Sequence, residues 1–369
     1  MNLSMNLKKL TLFLILIGII TLGSGGVYYY RNVYKIQKKI NFMKQANISL
    51  RVDNIEKAIS VYQQLLSETL TERERREVTS QLATSLFLTQ DLEKQKQAVE
   101  LIKKEVINFK NSPLSRAYFV VVLGTFLNQA PTREFRYAVI WNNEPYKSFG
   151  EPAFSFKVAE RKLFEYANSI APTAIGELKV GYWYASQLMI DKSLTTSIKK
   201  EYSETALRHI NTGEFLIPHD SQNLPIDRSF HARTLLQSAK GIFAIHNLGG
   251  SVKDVKNSFE KLIFDMEKEA GAPSQNPYIY DMALLTRFQY ASFLVHAYDS
   301  SEKDKIAEVI QPIIASPLRR SFYVYLREKV KSPPPVSSPG GYPSLPELKL
   351  IAEISPEFKA YLNQLGGNL

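Results

Sequence analysis

Helix-start signals recur along this chain, and they restrict its fold more than any other feature of the sequence. Thr71 with Glu74 and Ser251 with Asp254 have the spacing of capping boxes, in which side chains satisfy the free amide groups at a helix N-terminus. Two further starts carry a cap residue followed by a first-turn proline: Ser112-Pro113 and Asn276-Pro277. Segments with strand-like alternation are scarce, so the sequence predicts an all-α fold.

Short connections between the predicted helices favour antiparallel neighbours. The helices are expected near residues 53–68, 72–89, 92–109, 113–128, 132–142, 152–169, 173–190, 194–212, 228–247, 251–270, 276–298, 302–315 and 318–330. Residues 213–227 interrupt this series with Pro218 and Pro225 and predict a long loop. Such a loop indicates either a functional segment or a boundary between two halves of the repeat region, residues 47–212 and 228–330.

The C-terminal part of the chain separates into a linker and an amphipathic segment. Residues 331–346 are rich in proline and predict a semi-extended linker. Residues 347–369 are expected to form an amphipathic helix and a tail. The helix either docks back on the array, as terminal repeats require, or recruits a partner; docking back is the favoured prediction.

Three alanines in predicted helices share one period. They lie forty residues apart: Ala58, Ala98 and Ala138. A small residue there allows the two helices of a hairpin to approach closely. Ala58 with Tyr62 resembles the second helix of a tetratricopeptide repeat, and Leu123-Gly124 resembles the Leu-Gly pair of its first helix. The resemblance implies a superhelical array of antiparallel helix hairpins that binds peptide segments or protein partners without cofactor or chemistry. Another helical-hairpin array and a compact bundle are the alternatives.

The N-terminus carries an apolar run that begins at Leu10 and ends at Tyr30. Residues 10–30 hold no charge, and their length suits a helix that crosses about 30 Å of hydrocarbon. Three tyrosines close the run, where an interfacial aromatic belt is expected. We expect a retained transmembrane anchor after a short tail, residues 1–9. The alternative is a cleaved signal peptide, because small residues at 23–26 fit a peptidase site.

Basic residues are concentrated beside this run. Residues 1–51 hold eight of the chain's 46 Lys and Arg and none of its 36 Asp and Glu, so the rest is close to neutral. This distribution argues against nucleic acid as a partner. Residues 31–46 predict a juxtamembrane basic helix. Five of its side chains could contact anionic lipid headgroups: Arg31, Lys35, Lys38, Lys39 and Lys44. The alternative is that they form a solvated flank of the anchor.

The flanking charges leave the topology open. More basic residues follow the apolar run than precede it, so the positive-inside rule places the large domain in the cytoplasm. N-terminal single spans, however, often act as signal anchors, and we favour an extracytoplasmic repeat domain on a single-pass membrane protein. The basic helix also carries an apolar stripe that is expected to pack on the first repeat or on a second copy of the chain: Val33, Ile36, Ile40 and Met43.

Two groups of side chains are candidates for partner binding. Aromatic residues provide large contact areas at small entropic cost, and three are consecutive: Tyr182, Trp183 and Tyr184. A second set could line a groove on helix 276–298: Arg287, Tyr290, His296 and Tyr298. Core packing with one exposed ring is the alternative for the three aromatics, and the second set does not form one clean helical stripe.

No catalytic, metal or cofactor site is predicted. The chain has no cysteine, and its five histidines form no His-Glu-x-x-His pair. The adjacent residues His219, Asp220 and Ser221 rarely meet with triad geometry. Glu177, after Gly176, resembles the acid of helical cell-wall lyases, which also use superhelical scaffolds.

These observations favour a membrane-anchored scaffold without catalysis, which binds a protein partner at the cell envelope in assembly, secretion or appendage formation. A wall-active hydrolase or lyase that uses Glu177 is the enzymatic alternative. A structural spacer that self-associates is the third.

Overall fold

The computed structural model describes residues 54–89, 91–129, 156–223, 226–272, 275–298, 302–316 and 345–364, together with 38, 39, 41–43, 45, 46 and 49. This part of the chain is helical and contains no strand, which confirms the all-α prediction. The helices are α1 Ile55–Leu66, α2 Glu72–Leu88, α3 Leu92–Asn108, α4 Pro113–Gln129, α5 Phe156–Ile170, α6 Ala174–Ile190, α7 Thr196–Asn223, α8 Ile226–Ile245, α9 Val252–Ala270, α10 Pro277–Tyr298, α11 Lys303–Ala315, α12 Leu345–Ile354 and α13 Pro356–Gln364.

The helix starts follow the cap signals in the sequence. Thr71 accepts a hydrogen bond from the Glu74 amide, and the Glu74 carboxylate accepts one from the Thr71 amide, so α2 begins at a complete capping box. Ser251 caps α9 by accepting from the Asp254 amide. The predicted helices at 132–142 and 318–330 lie outside the described residues.

The predicted loop at residues 213–227 is wrong. α7 continues through Gly213 and Pro218 to Asn223. Residues on both sides of Pro218 are held against the neighbouring helix, since Ile217 and Asp220 are both buried. These tertiary contacts offset the hydrogen bond that a proline removes from a helix interior.

The helices pack in two layers. Consecutive helices contact each other in nearly every described pair, and even-numbered helices also contact across their neighbours, α2 with α4, α6 with α8, α8 with α10 and α10 with α12. α6 and α10 are buried on almost every side, whereas α1, α3, α7 and α9 present charged faces to solvent. Even-numbered helices therefore form an inner layer over much of the array, and α1, α3, α7 and α9 lie outside it; at the C-terminal end α11 and α13 also contact each other.

Polar contacts join members of the inner layer. Arg76 Nη1 donates to Ser115 Oγ at 3.1 Å between α2 and α4. The hydroxyls of Thr234 and Thr286 lie 2.7 Å apart between α8 and α10. Because buried polar groups are satisfied only in one register, such contacts favour a single alignment of the inner helices.

Glycines allow α6 and α7 to approach most closely. A Cβ atom on Gly181 would lie 3.1 Å from the amide nitrogen of Ile210, and one on Gly213 would lie 2.6 Å from Leu178 Cγ. Gly213 is therefore a packing residue inside a helix, not the start of a loop. This is the physical reason for the incorrect loop prediction.

The C-terminal segment docks back on the array, as expected. It forms two helices instead of one, because Pro356 starts α13 and Ser355 caps it by accepting from the Phe358 amide. α12 contacts α10 and α11, and α13 contacts α11. Its apolar face is buried: Leu348, Ile351, Phe358, Tyr361 and Leu362.

The described residues of the juxtamembrane segment also pack within the chain. Phe42 and Met43 lie against the main hydrophobic core, and Ala46 is fully buried. This confirms intrachain packing for Met43, while Val33, Ile36 and Ile40 lie outside the described residues.

The predicted anchor at residues 10–30 likewise falls outside the described part of the chain, as does most of the linker. Within the described part, no helix combines the length and the apolar character that a membrane crossing requires.

Candidate functional site

The consecutive aromatics of α6 meet a charged pair from α5 and a tyrosine from α7. We call this group the Arg161 cluster and define it as Arg161, Glu165, Trp183, Tyr184 and Tyr202. Its members come from three successive helices. The cluster forms because α6 packs against both α5 and α7.

Arg161 is the centre of the cluster. Its guanidinium carbon lies 4.7 Å from the centroid of the Trp183 ring and 5.2 Å from that of Tyr184. Both distances are within the range of cation–π attraction. Arg161 Nε also lies 3.3 Å from the Glu165 carboxylate, one helical turn further along α5.

Tyr184 contacts both other aromatic rings edge to face. Trp183 and Tyr184 have centroids 5.0 Å apart, and Tyr184 and Tyr202 have centroids 5.1 Å apart. Tyr184 donates its hydroxyl to Glu165 at 3.3 Å. Burial raises the pKa of this hydroxyl above its ordinary value, so Tyr184 stays a neutral hydrogen-bond donor at physiological pH.

Trp183 forms the floor of the cluster. The residue is only 3% exposed, and its indole N–H has no hydrogen-bond acceptor in the described part of the chain. A buried donor without an acceptor is unfavourable by about 1–3 kcal/mol. Tyr184, Tyr202 and Arg161 are only partly buried, so the cluster offers aromatic faces and a cation at the protein surface.

Sequence reasoning found two members of this cluster and missed three. Trp183 and Tyr184 were candidates, whereas Arg161, Glu165 and Tyr202 were not. The four-residue spacing of Arg161 and Glu165 signals an ion pair on one helix face. No local signal aligns that pair with α6, because the helix register depends on packing. Tyr182 is half-buried and packs against the core beside the cluster.

Tyr290, from the second candidate group, is a buried residue. Tyr290 is 1% exposed and donates its hydroxyl to Glu260 at 2.7 Å. Burial and this hydrogen bond raise its pKa well above the usual range. Tyr290 is therefore a core residue, and a partner could not reach its ring without local rearrangement.

The other members of that group have contacts of their own. Arg287 Nη2 forms an ion pair with Glu267 at 2.6 Å, and Tyr298 lies under the ammonium of Lys256 at 5.2 Å. His296 is exposed near the end of α10. Arg287, Tyr290 and Tyr298 follow one side of α10, and their contacts on α9 are with Glu267, Glu260 and Lys256. His296 lies on the opposite side of the helix, so the four side chains do not share one face.

Glu177 does not have the surroundings of an exposed catalytic acid. Its carboxylate lies 2.6 Å from His209 Nδ1, and the side chain is only 9% exposed. The adjacent turn is held by Asp220, which accepts from the Ala174 amide at 2.7 Å. Both contacts join α6 to α7, which gives these acids a packing role.

The juxtamembrane lysines differ in their contacts. Lys38 is exposed, with its ammonium 5.4 Å from the Phe42 ring. Lys39 donates to the Thr69 carbonyl at 2.6 Å and lies 3.3 Å from Glu74. Lys39 thus has two protein acceptors, and its contact with anionic lipid stays a prediction. Three other candidates, Arg31, Lys35 and Lys44, lie outside the described residues.

Possible metal ligands are dispersed. Within the described ranges, no group of three His, Asp or Glu residues has the geometry to hold a metal ion. His219 Nδ1 and Asp220 lie 3.6 Å apart, and Asp220 already binds the α6 amide.

Comparisons of this chain with protein-family models, with characterised proteins and with solved structures returned no match.

Proposed function

We propose that this chain is a membrane-anchored scaffold whose helical array, tetratricopeptide-like in plan, binds a protein partner at the cell envelope. Residues 10–30 act as the anchor and carry the array on the extracytoplasmic side. The array contributes a binding surface and no chemistry.

The Arg161 cluster carries this proposal. Interfaces rely on a few aromatic and arginine anchors, and such anchors work best when their rotamers are already held by packing. Here Arg161 lies over the rings of Trp183 and Tyr184, while Tyr202 and Glu165 contact Tyr184. A partner could cover these side chains without reorganising them.

The packing of the array supports the same function. Helices that contact only near neighbours build an extended surface, which suits polypeptide partners better than small substrates. The described juxtamembrane residues pack on the first hairpin, where Lys39 binds the start of α2. The first hairpin would then lie close to the membrane.

Location is tested with a single cysteine. The chain has no cysteine, and Phe215 on α7 is 81% exposed, so Phe215→Cys introduces one accessible thiol. A membrane-impermeant thiol reagent should label this variant on intact cells, and the protein should stay in membranes after an alkaline wash. Labelling only after lysis would place the array inside, and release by the wash would argue against an anchor.

Partner binding is tested by affinity capture from solubilised membranes after mild cross-linking. We expect a specific protein to be captured with the wild-type chain, and a smaller amount of it to be captured with the Tyr202→Ala variant. Phe264→Ala on α9 is a matched control, because Phe264 is a 65% exposed aromatic outside the cluster. Recovery of the chain alone would count against a scaffold.

A further inference from the structure

One end of the first two helical hairpins carries exposed cations. This end is formed by the connection from α1 to α2 and the connection from α3 to α4, which side-chain contacts hold next to each other. Ser115 Oγ donates to the Glu72 carboxylate at 2.6 Å, and Arg75 Nη2 lies 3.0 Å from the Glu105 carboxylate. We call this region the basic end and define it by three exposed side chains: Arg73, Ile107 and Lys110.

Most of the acids around the basic end are bound by the protein itself. Three carboxylates have protein donors: Glu72, Glu74 and Glu105. In the part of the chain that the structure describes, no acceptor contacts the guanidinium of Arg73 or the ammonium of Lys110. With the exposed Lys38, these groups place three cations beside one further acid, the half-buried Glu68. The basic end therefore keeps positive charge for an external anion.

Helix stability does not explain the position of Arg73. It lies in the first turn of α2, where the helix dipole disfavours a cation. Ile107 is similarly unusual, because it is 71% exposed and lies three residues before Lys110. An exposed apolar side chain next to cations is typical of segments that lie at a membrane interface.

The chain also restricts how far the basic end can be from the expected anchor. Lys39 donates to the Thr69 carbonyl and pairs with Glu74, so it is fixed at this end of the array. Residues 31–38 join Tyr30 to Lys39, and a segment of that length spans at most roughly 30 Å when fully extended. With an anchor that ends at Tyr30, the basic end lies within this distance of the membrane surface.

We propose that the basic end docks on anionic phospholipid headgroups of the membrane that holds the anchor. Arg73 and Lys110 contact the headgroups, and Ile107 enters the interface beside them. This inference rests on the anchor of the proposed function and is independent of partner binding at the Arg161 cluster. Each Lys or Arg near an anionic surface strengthens binding about fivefold, and salt weakens the attraction.

The test uses the full-length chain in vesicles of two compositions. One kind is a two-to-one mixture of phosphatidylcholine and phosphatidylglycerol, and the other is phosphatidylcholine alone. Thr69→Cys provides an exposed thiol for a fluorophore at the basic end, on a chain that otherwise has no cysteine. A quencher on the lipid headgroups reports docking. We expect stronger quenching in the mixed vesicles, and high salt should remove the difference.

Two double variants of equal charge show whether the effect is local. Arg73→Glu with Lys110→Glu should lower the ratio of docked to undocked protein by about 25-fold or more in the mixed vesicles. Lys57→Glu with Lys261→Glu is the matched control, because both lysines are exposed and lie in the first turn of α1 and on α9. The control should keep the quenching. Equal quenching in both kinds of vesicle, or equal loss with both double variants, would overturn the proposal.

Failure of the anchor gives a different result. If an alkaline wash releases the chain from the vesicles, the proposed function loses its anchor. The same fluorescent chain, added to preformed vesicles, then tests the basic end alone. Quenching that depends on phosphatidylglycerol would support headgroup binding, and its absence would overturn it.

Discussion

His209 Nδ1 lies 2.6 Å from Glu177 Oε2, and this contact joins the middle of α7 to the first turn of α6. Asp220 holds the same helix start three turns further along α7. Between these polar contacts, Gly213 lies directly against Leu178. The α6–α7 hairpin is thus fixed by two polar contacts with a close helix crossing between them, and it positions Tyr202 beside Trp183 and Tyr184.

Removing the histidine should destabilise this hairpin. His209→Ala leaves the Glu177 carboxylate buried without its partner, and we expect the free energy of unfolding to fall by about 1–3 kcal/mol. Urea unfolding at neutral pH measures the change. Arg208→Ala, at the exposed neighbouring position, should change stability by less than about 0.5 kcal/mol. Equal effects of the two substitutions would contradict the role of the pair.

Adding one methyl group at the helix crossing should also be unfavourable. An alanine inside a helix is normally more stable than glycine by about 0.5–1 kcal/mol. At Gly181 the new Cβ would meet backbone atoms of Ile210 and Ala206 at 3.1 and 3.2 Å. Gly181→Ala should therefore lower the melting temperature, with a loss of about 1–3 kcal/mol. A raised melting temperature would show that α6 and α7 are not in close contact.

Much of the secondary structure was predictable because its causes are local. The capping box of Thr71 and Glu74 lies within four residues, and the structure starts α2 there. Proline at the first turn, as at Pro113, also acts on its own backbone. Such signals predicted most helix boundaries in the described chain to within about two residues.

The errors arose where distant residues decide the local structure. Gly213 and Pro218 have the composition of a loop, yet contacts with α6 keep them helical. Tyr290 resembles a binding residue until packing buries it beside Glu260. Arg161 was missed for the same reason, because only the register of α5 on α6 brings it to Trp183.

Acid should weaken the contact between α2 and α4. The hydroxyls of Ser112 and Ser115 donate to the Glu72 carboxylate and hold its pKa below the ordinary value. Because the pKa of Glu72 is lower in the folded state than in the unfolded state, where it is about 4.3, the ionised carboxylate stabilises the fold above that pH. This stabilisation is lost as the pH falls through the folded-state pKa. Glu72→Gln should reduce the loss of stability between pH 6 and 3, which urea unfolding across that range measures. An unchanged acid limb would contradict this assignment.

The contribution of Asp220 to stability should depend on pH in the opposite direction. Burial raises the pKa of its carboxyl, despite the hydrogen bond from the Ala174 amide. The contribution of Asp220 to folding stability is therefore full below the unfolded-state pKa and is lost as the pH rises through the folded-state pKa. Asp220→Asn retains an acceptor for that amide and removes the buried charge. We expect the variant to unfold at a higher urea concentration than the wild type at pH 7, with no gain at pH 3. A clear loss of stability at pH 7 would show that the charge itself is needed.

The most direct test of partner binding is photo-cross-linking from the Arg161 cluster in intact cells. A photoreactive phenylalanine replaces Tyr202, which is partly exposed on α7, and a matched copy carries it at Phe264, outside the cluster. If the array binds a partner through the Arg161 cluster, we expect one protein adduct from position 202 that is absent from position 264. No adduct from position 202, or the same adducts from both positions, would contradict it.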